Sequence, residues 1–329
     1  MLAQAAIRVS GGPGPFRIMA VRRLIGSIPG ARRARSFLRA LQPWNPFLRF
    51  APPGHFYSPL PDPREIRRDR ERLFDRSRTE IPGILLDPER QLALVGELSA
   101  YCQDLPYPAT QTSDRRYFYE NEWFGRGSAV VLYCMLRHLQ PARVLEIGSG
   151  FSSAAMLDAN DLSFDGRIAF TFVEPNPARL FELLTEDDRR RHEVIVDTVQ
   201  RVSLDRFDAL EAGDFLFVDS SHVARIGSDV GHLLTEVLPR LKPGVVVHFH
   251  DIYWPFEYPE KWVLDGCAWN EAYVLRAFLQ FNETFEILLF NSYLAEHHRE
   301  HVAEALPGFI PKSGSSLWLR RTAQGCLAV

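Results

Sequence analysis

From residue 143 onward the chain alternates short apolar runs with stretches long enough for one helix each. The runs are Arg143–Ile147, Ile168–Val173, Val194–Val196, Phe215–Val218 and Val245–Phe249, followed by Phe285–Phe290 and Ser316–Leu319. Strands three to six residues long and apolar at nearly every position must be covered on both faces. An intervening helix is the ordinary way to cover one face and cross back to start a parallel neighbour. The pattern therefore predicts an α/β fold, a mostly parallel sheet of about seven strands with helices on both faces.

The segment ahead of that sheet reads differently. Eight prolines and glycines crowd residues 43 to 63, which excludes regular helix or interior strand and marks a linker or a covering arm. Residues 64 to 78 are charged and helix-prone. Asp87 can cap a helix bearing Leu92, Leu94, Val95, Leu98 and Tyr101, and Ser128 can cap another that Pro141 ends. The expected organisation is an Arg-rich, flexible extension over 1–50, a Pro-rich arm and N-terminal helical cap over 51–124, and a catalytic domain over 125–329.

Charge is distributed unevenly. Residues 1 to 50 hold nine arginines and no acid, leaving 29 basic against 41 acidic residues in the remainder. A body that acidic carries no nucleic-acid footprint, so no nucleic acid is expected as a partner, and only the tail suits a polyanion or weak contact with an anionic membrane surface. No run approaches the ~18 apolar residues of a membrane span. Cys102, Cys134, Cys267 and Cys326 are scattered without a C-x-x-C pair, which argues against a zinc site or disulfide framework and suits a reducing, cytoplasmic location.

In an open α/β sheet, ligands bind beyond the carboxyl ends of the strands, where the strand order reverses. The first such end is Glu146-Ile147-Gly148-Ser149-Gly150, followed by a helix start at Phe151-Ser152-Ser153 whose backbone N–H groups are free. A dinucleotide fingerprint would place a third glycine at Ser153 and would not tolerate the acid Glu146 beside a pyrophosphate. A carboxylate there suits a cationic amino group instead. Glu174, ending the second strand, stands where a ribose diol is gripped, and Asp197 and Gln200 after the third strand can read an adenine amine.

Two further strand ends carry the candidate chemistry: Asp219-Ser220-Ser221-His222 and His248-Phe249-His250-Asp251. A histidine can deprotonate an acceptor hydroxyl near neutral pH, and both His222 and His250 qualify as catalytic bases. His222 is favoured because it is expected to begin the helix beside the site. His248 is expected to pack. Carboxylates at two strand ends with a nearby imidazole can also hold a divalent ion that binds the acceptor oxygens.

At these residues the chain resembles the class I S-adenosylmethionine-dependent methyltransferases, over roughly residues 125 to 320. Glu146-x-Gly148-x-Gly150 is similar to their first motif, Glu174 to their ribose-binding acid, Asp214-Phe-Leu-Phe-Val-Asp219 to their fourth-strand motif and Leu241-Lys242-Pro243-Gly244 to the turn before the fifth strand. The resemblance implies a Rossmann-like seven-stranded sheet with its last strand antiparallel. It also implies S-adenosyl-L-methionine as cofactor, held by Glu146, Gly148, Gly150, Ser152, Glu174, Asp197, Gln200 and Asp219. The D-x-x-H, L-K-P-G, H-D spacing resembles the branch with macrocin-type O-methyltransferases and cephalosporin hydroxylase-like proteins. Relatives there place Mg2+ at positions matching Asp219, His250 and Asp251, with His250 standing where an acid often stands.

Residues Ile252 to Trp262 read as an aromatic lid, with Asn270 and Glu271 opening the next helix and suited to orient the acceptor, Asn270 fitting equally as that helix's plain cap, and His55–Ser58 and Tyr117–Asn121 as the opposite wall. Such a pocket suits a small-molecule or glycoside acceptor for O-methylation. Two other readings use the same residues: an oxidoreductase or hydroxylase with a nicotinamide or a His/Asp metal site, and a non-catalytic cofactor-binding scaffold recruited through the tail.

Overall fold

In the computed structural model of the protein, residues 46–309 and 314–323 are described. Most of the expected N-terminal extension lies outside them. The chain divides into two compact units. One takes in the described residues up to Arg70 together with Glu260–Ala268, the other Glu71–Pro259 with the described residues from Trp269 onward.

The smaller unit contains three short helices, Pro46–Phe50, Pro63–Arg68 and Glu260–Leu264. The first two begin on prolines, which the first turn of a helix tolerates because its N–H groups have no internal partner. Asp62 caps the second by accepting a hydrogen bond from Arg64 N. Within the stretch expected to be free of regular helix, proline therefore starts helices that remain one or two turns long.

The larger unit is built on a seven-stranded sheet of order β3-β2-β1-β4-β5-β7-β6. Its strands are β1 (Arg143–Ile147), β2 (Ala169–Val173), β3 (Glu193–Ile195), β4 (Phe215–Val218), β5 (Val246–Phe249), β6 (Phe285–Phe290) and β7 (Leu317–Arg321). β1 to β5 run parallel, and β7 is inserted antiparallel between β5 and β6. The order advances one way from β1 to β3 and the other way from β4 to β5. Right-handed crossovers consequently place the two sets of helices on opposite faces and open a crevice between the ends of β1 and β4.

The four longer helices of this unit among the described residues are α1 (Pro88–Leu98), α2 (Arg126–Leu139), α3 (Phe151–Ser163) and α4 (Glu271–Leu279). Asp87 caps α1 as expected, accepting from Arg90 N, and Val95 and Leu98 are buried. α2 starts two residues ahead of Ser128, at a Gly125 N-cap. The Ser128 hydroxyl is drawn away from capping and accepts a hydrogen bond from Ser315 N at 3.4 Å.

The aromatic stretch ahead of α2 is packed into the core at Tyr117 and Phe124. Tyr117 is fully buried, its hydroxyl donating to Phe124 O at 2.8 Å, and the Asn121 side chain closes the turn by bonding Phe118, Trp123 and Phe124 backbone. Arg116 anchors the stretch, reaching Asp158, Asp161 and Asp188 at 2.8 Å each. The proposed lid also folds inward over its first half. Ile252, Trp254, Phe256 and Tyr258 are all buried, around a turn in which Phe256 N donates to Tyr253 O, with Trp254 against Phe290 and Tyr293.

Candidate active site

The loop after β1 is shaped by its neighbours before any ligand enters. Gly148 has φ +81, and a Cβ there would lie 1.9 Å from the carbonyl oxygen of Asp219 at the end of β4. Only glycine allows β1 and β4 to leave the sheet this close together. Gly150 is extended (φ 176), and its N–H donates to Ser153 Oγ at 2.9 Å.

Glu146 is wholly buried, and its carboxylate receives the hydroxyls of Ser152, at 2.6 Å, and Ser153. Burial is the largest influence on it and pushes its pKa up to about 8, against the opposing bonds from the two serines. Glu174 bridges two loops, accepting from Ser149 N at 3.1 Å and Asn176 N at 2.7 Å. Asp197 accepts from Thr198 N at 2.7 Å. Gln200 donates its amide N–H to Gly227 O at 2.8 Å, leaving its amide oxygen buried without a partner.

Arg179 is a residue the sequence pattern did not single out. Its guanidinium lies 3.5 Å from the ring centroid of Trp123, and its stem is the nearest neighbour of Gly150. Its signal was faint: an arginine five residues after Glu174.

Asp219, His222, His250 and Asp251, placed apart in sequence, come together here. The ladder continues past both strands, with Asp219 N donating to Ile147 O and His250 N to Val218 O, each at 2.9 Å. This sets the two chain ends side by side. His222 Nε2 lies 3.4 Å from Asp219 Oδ1 and 3.9 Å from Asp251 Oδ2, and His250 Nε2 lies 3.6 Å from Asp251 Oδ1. Ser315 Oγ donates to Asp251 at 2.7 Å.

His222 does not begin a helix. It sits in the loop after β4 with φ 59, and the next helix starts only at Asp229. What holds this left-handed conformation is the start of α4. Asn270 N and Glu271 N both donate to His222 O at 3.1 Å, and the buried Glu271 carboxylate meets His222 Nδ1 at 2.8 Å. Asn270 reaches past it, accepting from Ala224 N and donating to Ala224 O. Asn270 and Glu271, expected to orient the acceptor, instead bond the histidine loop.

Burial works against a charge on His222, but the bonds to Asp219 and Glu271 prevail and raise its pKa well above the ordinary histidine value. Asp219 is lowered: burial opposes this, and the nearby His250 and His222 outweigh it. His250 rests against Phe124 at 5.0 Å, its Nδ1 buried without a partner. His248 lies on the same face, stacked on Phe217 at 3.8 Å, with both ring nitrogens unpartnered. Burial, helped by His250, holds its pKa well below normal.

A family described as a methyltransferase domain matches residues 145–252, from within β1 to just past Asp251. That span holds the glycine loop, Glu174 and both halves of the histidine and carboxylate cluster, on a sheet with β7 antiparallel as the resemblance implied. The chain belongs to the class I S-adenosylmethionine-dependent methyltransferases. The oxidoreductase and scaffold readings give way to this one. An uncharacterized protein of Archaeoglobus fulgidus is 35% identical over 165 residues, covering 49% of this chain and 73% of that protein. Among solved structures the methyltransferase is similar to the SAH-bound methyltransferase PaMTH1 of Podospora anserina (15% identity, 80% of this chain and 98% of that one, TM-score 0.39). It is also similar to the O-methyltransferase TomG of Streptomyces achromogenes in complex with SAM (16% identity, 73% and 92%, TM-score 0.36). Among the described residues no helix is long and apolar enough to cross a membrane.

Proposed function

We propose that this methyltransferase acts on an oxygen of a small-molecule or glycoside acceptor, at the cluster formed by Asp219, His222, His250 and Asp251. The observation that carries the reading is the convergence of two imidazoles and two carboxylates at the ends of β4 and β5, next to the glycine loop. S-adenosylmethionine, when bound, supplies an electrophilic methyl group and its own leaving group. The protein then has to orient the acceptor and take its proton.

The cofactor fits the residues present. The unpartnered amide oxygen of Gln200 is an acceptor for an adenine amine, Glu174 stands at the end of β2 for the ribose, and Glu146, Gly148, Gly150 and Ser152 shape the loop. Asp197 flanks the adenine position, and Asp219 joins the cofactor side to the reacting side.

Both ring nitrogens of His222 face carboxylates, so it is suited to hold Asp219 and Asp251 in place as a fixed positive charge. His250, with an unpartnered nitrogen, is the better proton acceptor. The residues do not fit Mg2+. Magnesium takes oxygen ligands in strict octahedral geometry, whereas His250 offers nitrogen and His222 Nε2 already lies between the two carboxylates. Among the described residues no three His, Cys, Asp or Glu side chains are grouped to hold a metal.

The test is incubation with methyl-labelled cofactor and acceptors bearing phenol, carboxyl or sugar hydroxyl groups, with and without a chelator. Label in an O-methyl product, undiminished by chelation and lost in His250→Ala, supports the reading. Label confined to nitrogen or carbon would overturn the O-directed reading. Loss of turnover on chelation, restored by a divalent ion, would overturn the metal-free one.

A further inference from the structure

The four cysteines, unremarkable in sequence, include one pair that the fold brings together. Cys102 lies in the 3-10 helix Ser99–Asp104 that follows α1, and Cys134 on α2, 32 positions later. Their sulfurs are 3.3 Å apart. Cys134 is buried and Cys102 partly exposed. Cys102 also lines a surface pocket with Ser99, Gln103, His301 and Glu304, so the dithiol has an opening to solvent on one side.

We propose that Cys102 and Cys134 form a reversible, peroxide-oxidisable dithiol, a modification site separate from the methyl-transfer cluster. In the first step the Cys102 thiolate attacks one peroxide oxygen, the O–O bond breaks, and Cys102 becomes a sulfenic acid with loss of water. The Cys134 sulfur then attacks that sulfenic sulfur, an S–S bond forms, and a second water leaves. Two thiols lose two electrons and two protons, and one hydrogen peroxide is reduced to two waters. A small dithiol reductant reverses it.

The chemistry suits the positions. The bond from Cys134 holds the Cys102 thiol below the ordinary cysteine value, favouring it as attacking thiolate, while the same bond and burial push Cys134 up. Closing the gap from 3.3 Å to a bond of ~2.05 Å needs rotation of two side chains. The loop so closed contains Phe124, which supports His250, and Trp123, which lies under Arg179. Oxidation would thus clamp the segment that flanks the reacting end.

The experiment treats the full chain with a few equivalents of hydrogen peroxide, followed by intact mass, non-reducing peptide mapping and thermal unfolding. The expected result is a loss of 2 Da, a linked Cys102–Cys134 peptide, and a rise in Tm of roughly 5 °C that dithiothreitol reverses, given the stabilisation of a loop this long. Cys102→Ser and Cys134→Ser each abolish the 2 Da loss, and Cys267→Ser keeps it. Peptide mapping of the unsubstituted chain does not depend on how the variants fold. Addition of 16 or 32 Da without a linked peptide, or linkage of other cysteines, overturns the proposal.

Discussion

At the ends of β1 and β2 the carboxylates have settled into the fold, whereas at the ends of β4 and β5 they face one another across a histidine. Glu146 and Glu174 each have both oxygens engaged by serine hydroxyls or backbone N–H groups. Asp219 and Asp251 flank His222 at 3.4 and 3.9 Å, beside a His250 with one unpartnered nitrogen. The first region is a finished scaffold against which a cofactor can be laid. The second keeps opposite charges close, within a low-dielectric interior where each strongly affects the others. A preorganised group of this kind is able to respond to a new charge or proton.

The largest effect is expected from breaking the scaffold where both regions meet. Gly148→Ala places a methyl group against the Asp219 carbonyl in a backbone conformation that alanine resists. We expect a stability loss of about 3 kcal/mol or more and no measurable S-adenosylhomocysteine binding, read by denaturant unfolding and calorimetry. A variant that unfolds normally and binds the product would mean that the approach of β1 to β4 is not what demands glycine.

Next comes the reacting end alone. Glu271→Gln retains the size of the group on His222 Nδ1 while removing its charge. The expected outcome is a fall in kcat of about 10²-fold or more, with product affinity unchanged within threefold, because Glu271 touches only the histidine side. Equal losses in turnover and cofactor affinity would show that the two regions are one cooperative unit.

The same contrast decides what could be read from the sequence. β1, β4 and β6 have the predicted ends, because apolar runs bounded by turn residues leave little choice. β7 runs two residues beyond its prediction: Arg320 is paired with Glu286 and the buried Arg321 with Thr284 O, so charged residues occupy a strand that hydropathy would end. The place of the glycine loop at the end of β1 was legible because its contacts are local, Glu146 bonding serines six and seven residues on. The conformation of His222 was not, since it depends on Glu271, 49 residues away. Asn270 looked like an ordinary helix cap for the same reason. Nothing nearby in sequence announces that its side chain grips Ala224. Cys102 and Cys134 likewise show no spacing signal, because two different helices bring them together.

The most gradual effect, and the one that most sharpens the contrast, concerns the proton on Glu146. Its folded pKa of about 8 lies above the ordinary 4.5. Between those values the folded chain binds more protons than the unfolded one, so its stability falls as pH rises from about 4.5 to about 8 and levels off above. Glu146→Gln should remove that slope, a difference of at most a few kcal/mol, measured by denaturant unfolding across the range. Cofactor binding then carries the opposite sign. If the cationic amino group of the cofactor lies near Glu146, it favours the ionised carboxylate, so binding releases a proton and product affinity rises with pH up to about 8. In Glu146→Gln that rise disappears. A wild-type affinity that is flat from pH 6 to 8, with a stability slope still present, would leave Glu146 as a partner of Ser152 and Ser153 alone and transfer recognition of the amino group to the backbone of the glycine loop.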